Sequence, residues 1–347
     1  MNFLSRFRPD GFTTALVAMV LIATLLPCRG NTAQVVGLAT NLAIGLVFFL
    51  HGARLSRNAA IAGATHWRLH AVVFTATFIL FPLLGVAVEW LLWGALPAPL
   101  ILGVLFLCTL PSTVQSSIAF TSIAGGNIPA AIFSASASSM IGVVLTPLLI
   151  GILARVDGGG LSLASLDRIA LQLVLPFVAG QVLHPWFGRW MVRNRTVLSL
   201  VDRGSILLIV YSAFSEAVVN GLWHQLSPAA LAVVLTVEVV LLAVVLTATT
   251  YGSRLLGFSR ADEITIVFCG SKKSLASGIP IASILFPAHL VGMIVLPVML
   301  FHQMQLIVCA MLARSYARRA GLEGTSVPAD EAAVPVHRRS TAKLPEE

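Results

Sequence analysis

Two adjacent lysines, Lys272 and Lys273, stand in the stretch FCGSKKSLASGIP (Phe268–Pro280), after Ala261–Val267 and before a run that stays apolar to Phe286. An ionisable side chain in the middle of a membrane-crossing helix costs at least about 2.5–3.5 kcal/mol and marks function by default. An ammonium there offers three N–H donors and a positive charge, the equipment to hold an anion or to exchange a proton. Neighbours in an α-helix point about 100° apart, so at least one of the pair is expected where the helix is broken. The bland alternative is a shifted span whose lysines snorkel to the interface. Glu216, in LLIVYSAFSEAVV beside Tyr211, Ser212 and Ser215, is the expected partner, with Glu238 next and Glu89 interfacial. Glu216 has its own alternative reading, a neutral carboxyl bonded to a neighbouring helix.

A second polar set lies earlier, in LPSTVQSSIAFTSIAGGN (Leu110–Asn127). Its hydroxyls, Ser116 and Ser117 among them, suit close helix packing as readily as a ligand. Gln115 and Asn127 are harder to dismiss, because an amide in lipid needs several partners. Ser134, Ser136, Ser138 and Ser139 read as a packing face. His302 and Gln303 are polar where apolar residues are expected, and His302 shares a face with Gln305 at i, i+3; an interhelical hydrogen-bond seam explains them as well as a site does. Ser271 and Ser274 flank the lysines. An intramembrane hydrolase using one of them with a lysine base is disfavoured, since nothing supplies an oxyanion hole or an orienting third group.

These residues need a membrane scaffold. Of 347 residues 57% are hydrophobic and only 10% charged, with a mean hydropathy of +0.93, against about a quarter charged in soluble domains. Apolar runs near 12–28, 34–51, 70–93, 99–122, 129–153, 169–191, 205–223, 229–252, 263–286 and 290–313 are each long enough to cross a hydrocarbon core of about 30 Å. The expected fold is therefore an all-α membrane protein of about ten transmembrane helices, the first retained and not a cleaved signal peptide. The four cysteines (Cys28, Cys108, Cys269, Cys309) show no paired or metal spacing, and neither cofactor nor metal is expected.

With ten spans, 17 basic residues fall on one side (Arg6 and Arg8, the 54–68 and 189–203 segments, Arg254 and Arg260, and the tail). Three (Arg29, Arg155, Arg168) fall on the other, leaving only the two lysines of the 22 within the membrane. The positive-inside rule then puts both termini in the cytoplasm of a cell (inner or plasma) membrane. The basic residues are a topology signal; nucleic acid is not an expected partner. Residues 317–347 read as a disordered cytoplasmic tail.

The fourth and ninth spans are both interrupted by small and polar residues, and Ser117-Ile118-Ala119 matches Ser274-Leu275-Ala276. Gly142 and Pro147 share a spacing with Gly292 and Pro297. Two five-helix repeats, 1–153 and 169–316, must be inverted because five is odd. Paired broken helices in inverted halves point to a transporter's midplane site.

The run PSTVQSSIAFTSIAGGNIPAAIFSASASS, the GSKKSLASGIP string and LPVMLFHQMQL resemble the bile acid:sodium symporter superfamily, nearest the bacterial branch related to the seventh member of solute carrier family 10. The resemblance implies a panel of the first, second, sixth and seventh helices and a core of the other six, whose fourth and ninth helices unwind and cross. It also implies sodium beside that crossing, held by Ser and Asn of the fourth helix and by Glu with a nearby Gln of the ninth. Here Ser116 and Ser117 stand where the Ser-Asn pair is expected, and Lys272 and Lys273 occupy the stretch that lacks the Glu. The expectation is a secondary transporter of a small, anionic organic solute working by alternating access. A lysine replaces at least one sodium, and proton coupling or none is favoured over sodium. A regulatory or channel-like membrane protein is the alternative.

Overall fold

Prolines set where the helices of this chain yield. The computed structural model describes residues 11–54, 66–154 and 170–321, and among these the regular structure is helical, with no strand. The third helix, α3 (Trp67–Leu91), carries a π turn at Ala76–Leu80 that closes with Phe81 N–H donating to Ala76 O. Pro82 follows at once and has no N–H to continue that series, so the turn leaves Thr77 O without its next backbone partner. A second π turn, Ala170–Val174, is likewise followed two residues on by a proline, Pro176, in α7 (Leu175–Arg193).

The other elements follow in order. α1 (Gly11–Leu25) and α2 (Asn31–Ala53) precede α3. α4 (Ala98–Thr109) ends where Pro111 forces Leu110 into extended backbone, and the chain re-enters a helix as α5 (Gln115–Ile123). α6 (Ile128–Leu153) begins at an Asn127 cap whose side chain accepts from Ala130 N–H. α8 (Arg195–Val219), the single turn α9 (Leu222–Gln225) and α10 (Pro228–Leu255) come next. α11 (Arg260–Gly270) and α12 (Leu275–Leu285) are separated by Ser271–Ser274, and α13 (Ala288–Arg319) ends the described chain.

Six of these helices are long and apolar enough to cross a membrane, α3 counted with its π turn; α1 and α4 are shorter apolar helices. The protein's surface agrees. Leu25, Leu38, Leu42, Leu83 and Ile152 are large apolar side chains left exposed, and so are all six tryptophans. Trp67, Trp90, Trp93, Trp190 and Trp223 lie near helix ends, where a membrane interface takes such rings.

α1, α2, α7 and α8 pack on one another, while α3–α6 and α10–α13 form the remainder; α8 and α13 join the two groups. The tightest approach is between α2 and α7. A Cβ on Gly52 would collide with Phe177 O, and one on Gly180 with Phe49 O. At the α8–α13 seam a Cβ on Gly292 would lie 2.5 Å from that of Ala217. α8 starts ten residues before the expected 205, and α13 runs on to Arg319, so residues 317–319 are helical and not tail. Arg6, Arg8, Arg57, Arg155, Arg168 and the tail beyond 321 lie outside the described residues.

Candidate functional site

The end of α4 exposes carbonyl oxygens that its own chain cannot satisfy, and each finds a partner from elsewhere. Thr109 O accepts from Thr146 Oγ1 at 2.8 Å. Pro111 O accepts from the backbone N–H of Ser274 at 2.8 Å. Cys108 O and Leu110 O both accept from Lys273 Nζ, at 2.8 and 2.7 Å. The third proton of that ammonium goes to Thr77 O at 2.8 Å, the oxygen released by Pro82. Lys273 Nζ also lies 4.1 Å from the centroid of the Phe81 ring. The two helix breaks, 110–114 and 271–274, therefore meet through one buried ammonium.

Lys272 is buried just as deeply and bound quite differently. Its Nζ donates to Ser116 O at 2.8 Å and sits 3.8 Å from the Phe120 centroid and 5.5 Å from that of Phe268. Both lysines lie in the break itself, with 0% and 1% of their surface exposed. They do not snorkel to an interface. Gln305 pins the break from α13: its Oε1 accepts from Lys273 N–H at 2.8 Å and its Nε2 donates to Lys273 O at 2.9 Å. The same Nε2 lies 3.0 Å from His302 Nδ1.

Beside this junction lies a cavity of about 270 Å³, between the group α1, α2, α7, α8 and the two broken helices. One wall is the start of α5 (Val114, Gln115, Ser116) and the start of α12 (Ser274, Leu275, Ala276). Two helix N-termini thus face one space, and no side chain caps that of α5. N-terminal N–H groups and helix dipoles favour an anion there. The opposite wall carries His51, Arg54, Asp202 and Arg203. Arg54 Nη1 donates to Asp202 Oδ2 at 2.7 Å, and Arg54 Nη2 to Leu198 O at 3.3 Å. Thr113, Ser136, Ser139, Ser199 and His302 add to the polar lining, so two of the serines read above as a packing face look into the cavity.

The expected site residues divide accordingly. Gln115, Ser116, Ser274 and His302 line the cavity; Lys272 and Lys273 lie behind it in the junction. Ser117 and Ser271 are buried structural hydroxyls, donating to Phe268 O at 3.1 Å and to Val267 O at 2.6 Å. Gln303 Oε1 accepts from Thr13 Oγ1 at 2.8 Å, tying α13 to α1. Asn127 is a helix cap whose Nδ2 reaches Asp262 Oδ1 at 2.9 Å, and the motif Asn-Ile-Pro at a helix start was the signal for that role.

Glu216 is not brought to the lysines. It is exposed near the end of α8 and accepts from Asn220 Nδ2 at 3.4 Å. Carbonyl oxygens and aromatic faces take the part expected of a carboxylate. Glu238 is fully buried, with neither carboxyl oxygen hydrogen-bonded among the described residues. Asp202 and Arg54 are cavity residues that the sequence does not mark: Arg54 reads as a topology charge, and Asp202 sits in TVLSLVDRG, between two expected spans.

Comparison with known proteins agrees with the geometry. A family model for the SBF-like CPA transporter family matches residues 10–318. An uncharacterized protein of Pseudomonas aeruginosa is 59% identical over 315 residues, covering 90% of this chain and 95% of its own. YfeH of Escherichia coli, whose name gives it as a candidate symporter, is 54% identical over 310 residues, 89% of this chain and 93% of its own. Sodium/bile acid cotransporter 7 of Danio rerio is 27% identical over 324 residues, 91% of this chain and 96% of its own. With apolar crossing helices, a junction of broken helices and a match over nearly its whole described length, the chain belongs to the SBF-like CPA transporter family, membrane transporters of the bile acid:sodium symporter type.

Proposed function

We propose that the protein is a secondary transporter that moves a small anionic organic solute by alternating access, without sodium at its helix crossing. The observation that carries this reading is the Lys273 ammonium, held by Thr77 O, Cys108 O and Leu110 O where the two breaks meet. Three carbonyl oxygens converging on one positive charge make the environment a hard cation would require, and here a tethered cation fills it. The paired N-termini of α5 and α12 supply attraction for an anion, and Gln115, Ser116, Ser274 and His302 supply hydrogen bonds. A cavity of about 270 Å³ is at the small end for organic ligands, which occupy roughly 300–1,000 Å³. That supports a solute smaller than the bile acid in the zebrafish relative's name.

On this reading residues 1–153 and 169–316 are inverted repeats, α1, α2, α7 and α8 form the moving panel, and the rest form the core. Both termini are cytoplasmic in the inner membrane, so the Arg54–Asp202 end of the cavity opens to the cytoplasm. Coupling, where present, uses protons. The test is uptake into proteoliposomes of a panel of radiolabelled small carboxylates and hydroxy acids. Uptake of at least one above its equilibrium level under a pH gradient or membrane potential, unchanged when sodium is replaced by N-methylglucamine, is the expected result. Strict dependence on a sodium gradient would overturn the cation assignment. Equilibration without accumulation under every gradient would favour the channel-like alternative.

A further inference from the structure

Between α10 and α13 a second, wider groove of about 570 Å³ opens on the outer surface of the bundle. Its two walls have the same polarity order. Along α10 the lining runs from Leu246 through Thr247, Thr250 and Tyr251 to Arg254; along α13 it runs from Val308, Met311 and Leu312 through Ser315 and Tyr316 to Arg319. At 1.5 Å per residue, each wall passes from hydrocarbon-like to hydroxyl to guanidinium within roughly 12–17 Å. Tyr251 and Met311 are 60% and 52% exposed, so the groove faces outward.

The basic end is prepared in advance. Glu263 Oε2 and Oε1 accept from Arg254 Nε and Nη2, both at 2.9 Å, which fixes the guanidinium and leaves Nη1 outside the pair. The carboxylate that neighbours the groove is engaged further by Tyr316 Oη at 2.9 Å and by Arg260 Nη1 at 3.5 Å. Arg319 is exposed at the end of α13. The charge left over at this rim is positive.

We propose that this groove is a binding site for an anionic phospholipid, one acyl chain lying along Leu246, Val308, Met311 and Leu312 and the phosphate against Arg254 and Arg319. Basic pockets between membrane helices hold acidic headgroups in this manner. The placement in the cytoplasmic leaflet rests on the topology proposed above; the binding itself does not depend on what solute is carried.

The experiment uses the full chain purified in a neutral maltoside detergent. Native mass spectrometry and thermal unfolding are followed with phosphatidylglycerol, with phosphatidylethanolamine of the same acyl chains, and with inorganic phosphate. Phosphatidylglycerol is expected to remain bound and to raise the unfolding midpoint by several degrees, the other two to do neither. Arg319→Gln, at an exposed helix end, should weaken binding about fivefold, the worth of one basic residue near a lipid surface. Ser315→Trp, which fills the groove, should abolish it. Equal stabilisation by phosphatidylethanolamine, stabilisation by inorganic phosphate alone, or affinity unchanged in both variants would overturn the proposal. So would a dimer that buries the groove at every lipid concentration.

Discussion

Lys272 and Lys273 are neighbours in sequence and opposites in bonding. Lys273 spends all three ammonium protons on backbone carbonyls, of Thr77 in α3, Cys108 in α4 and Leu110 in the break after it, beside one aromatic face, whereas Lys272 has one carbonyl and two aromatic faces. Replacing Lys273 by Met leaves three buried acceptors unpaired, at about 1–3 kcal/mol for each. Lys272→Met leaves one; both variants lose a cation–π contact of about 1–2 kcal/mol and both remove a buried charge, so the number of stranded acceptors separates them. Lys273→Met is therefore expected to unfold at a markedly lower midpoint in detergent than Lys272→Met. Equal midpoints would contradict the junction described here. In Lys273→Ala, ethylammonium at millimolar concentration should restore part of the lost midpoint while leaving the wild type unmoved. The importance of the pair was legible in the sequence, because two charges cannot sit in an apolar run without reason. Their partners were not: a search for a carboxylate led to Glu216, and backbone oxygens freed by Pro82 and Pro111 carry no side-chain signature.

At the scale of elements, the positions of the helices were open to reading because each apolar run is long and proline or serine marks the entries. The small and polar residues of Leu110–Asn127 announced the first break, and the lysines the second. The π turns, the single turn α9 and the early start of α8 were hidden, since tertiary contacts and a missing N–H decide them and composition does not. The Arg195–Gly204 stretch looks like a loop but is helical, with Asp202 bonded to Arg54 at the end of α2. Glycine serves the crossing of α2 and α7 directly. Gly180→Ala puts a Cβ into Phe49 O and is expected to cost about 1–3 kcal/mol, read as a lowered unfolding midpoint and reduced yield. Gly204→Ala, in α8 with open space around it, should be neutral or stabilise by about 0.5–1 kcal/mol.

For the molecule as a whole, the cavity has Arg54 and Asp202 on one wall and the two helix breaks on the other, and the proposed topology turns the Arg54–Asp202 side to the cytoplasm. If that side faces the cytoplasm, Gln115→Cys in a Cys28→Ser background should react with a membrane-impermeant maleimide in inverted vesicles and not in right-side-out ones. The remaining cysteines, Cys108, Cys269 and Cys309, are buried and should stay silent. Labelling only from the outer face would reverse the assigned topology. The charge asymmetry behind the proposed orientation is plain in the sequence; the cavity is not, because it is assembled from residues more than 200 positions apart.

If the protein moves an anion as proposed, the tether at Lys273 also has an energetic consequence for the cell. A sodium ion bound at a crossing comes and goes with each cycle and brings the work of its gradient with it. An ammonium fixed to the backbone by its own side chain never leaves, so it contributes structure and no driving force. A monoanion carried without a co-moving proton would then answer to the membrane voltage alone, about 2.3 kcal/mol per 100 mV. With the interior negative, that drives the solute outward to an imbalance of roughly fiftyfold per 100 mV. On the proposed function, such a transporter would suit the clearing of an acid from the cytoplasm, and accumulation inward would require a proton to travel with it.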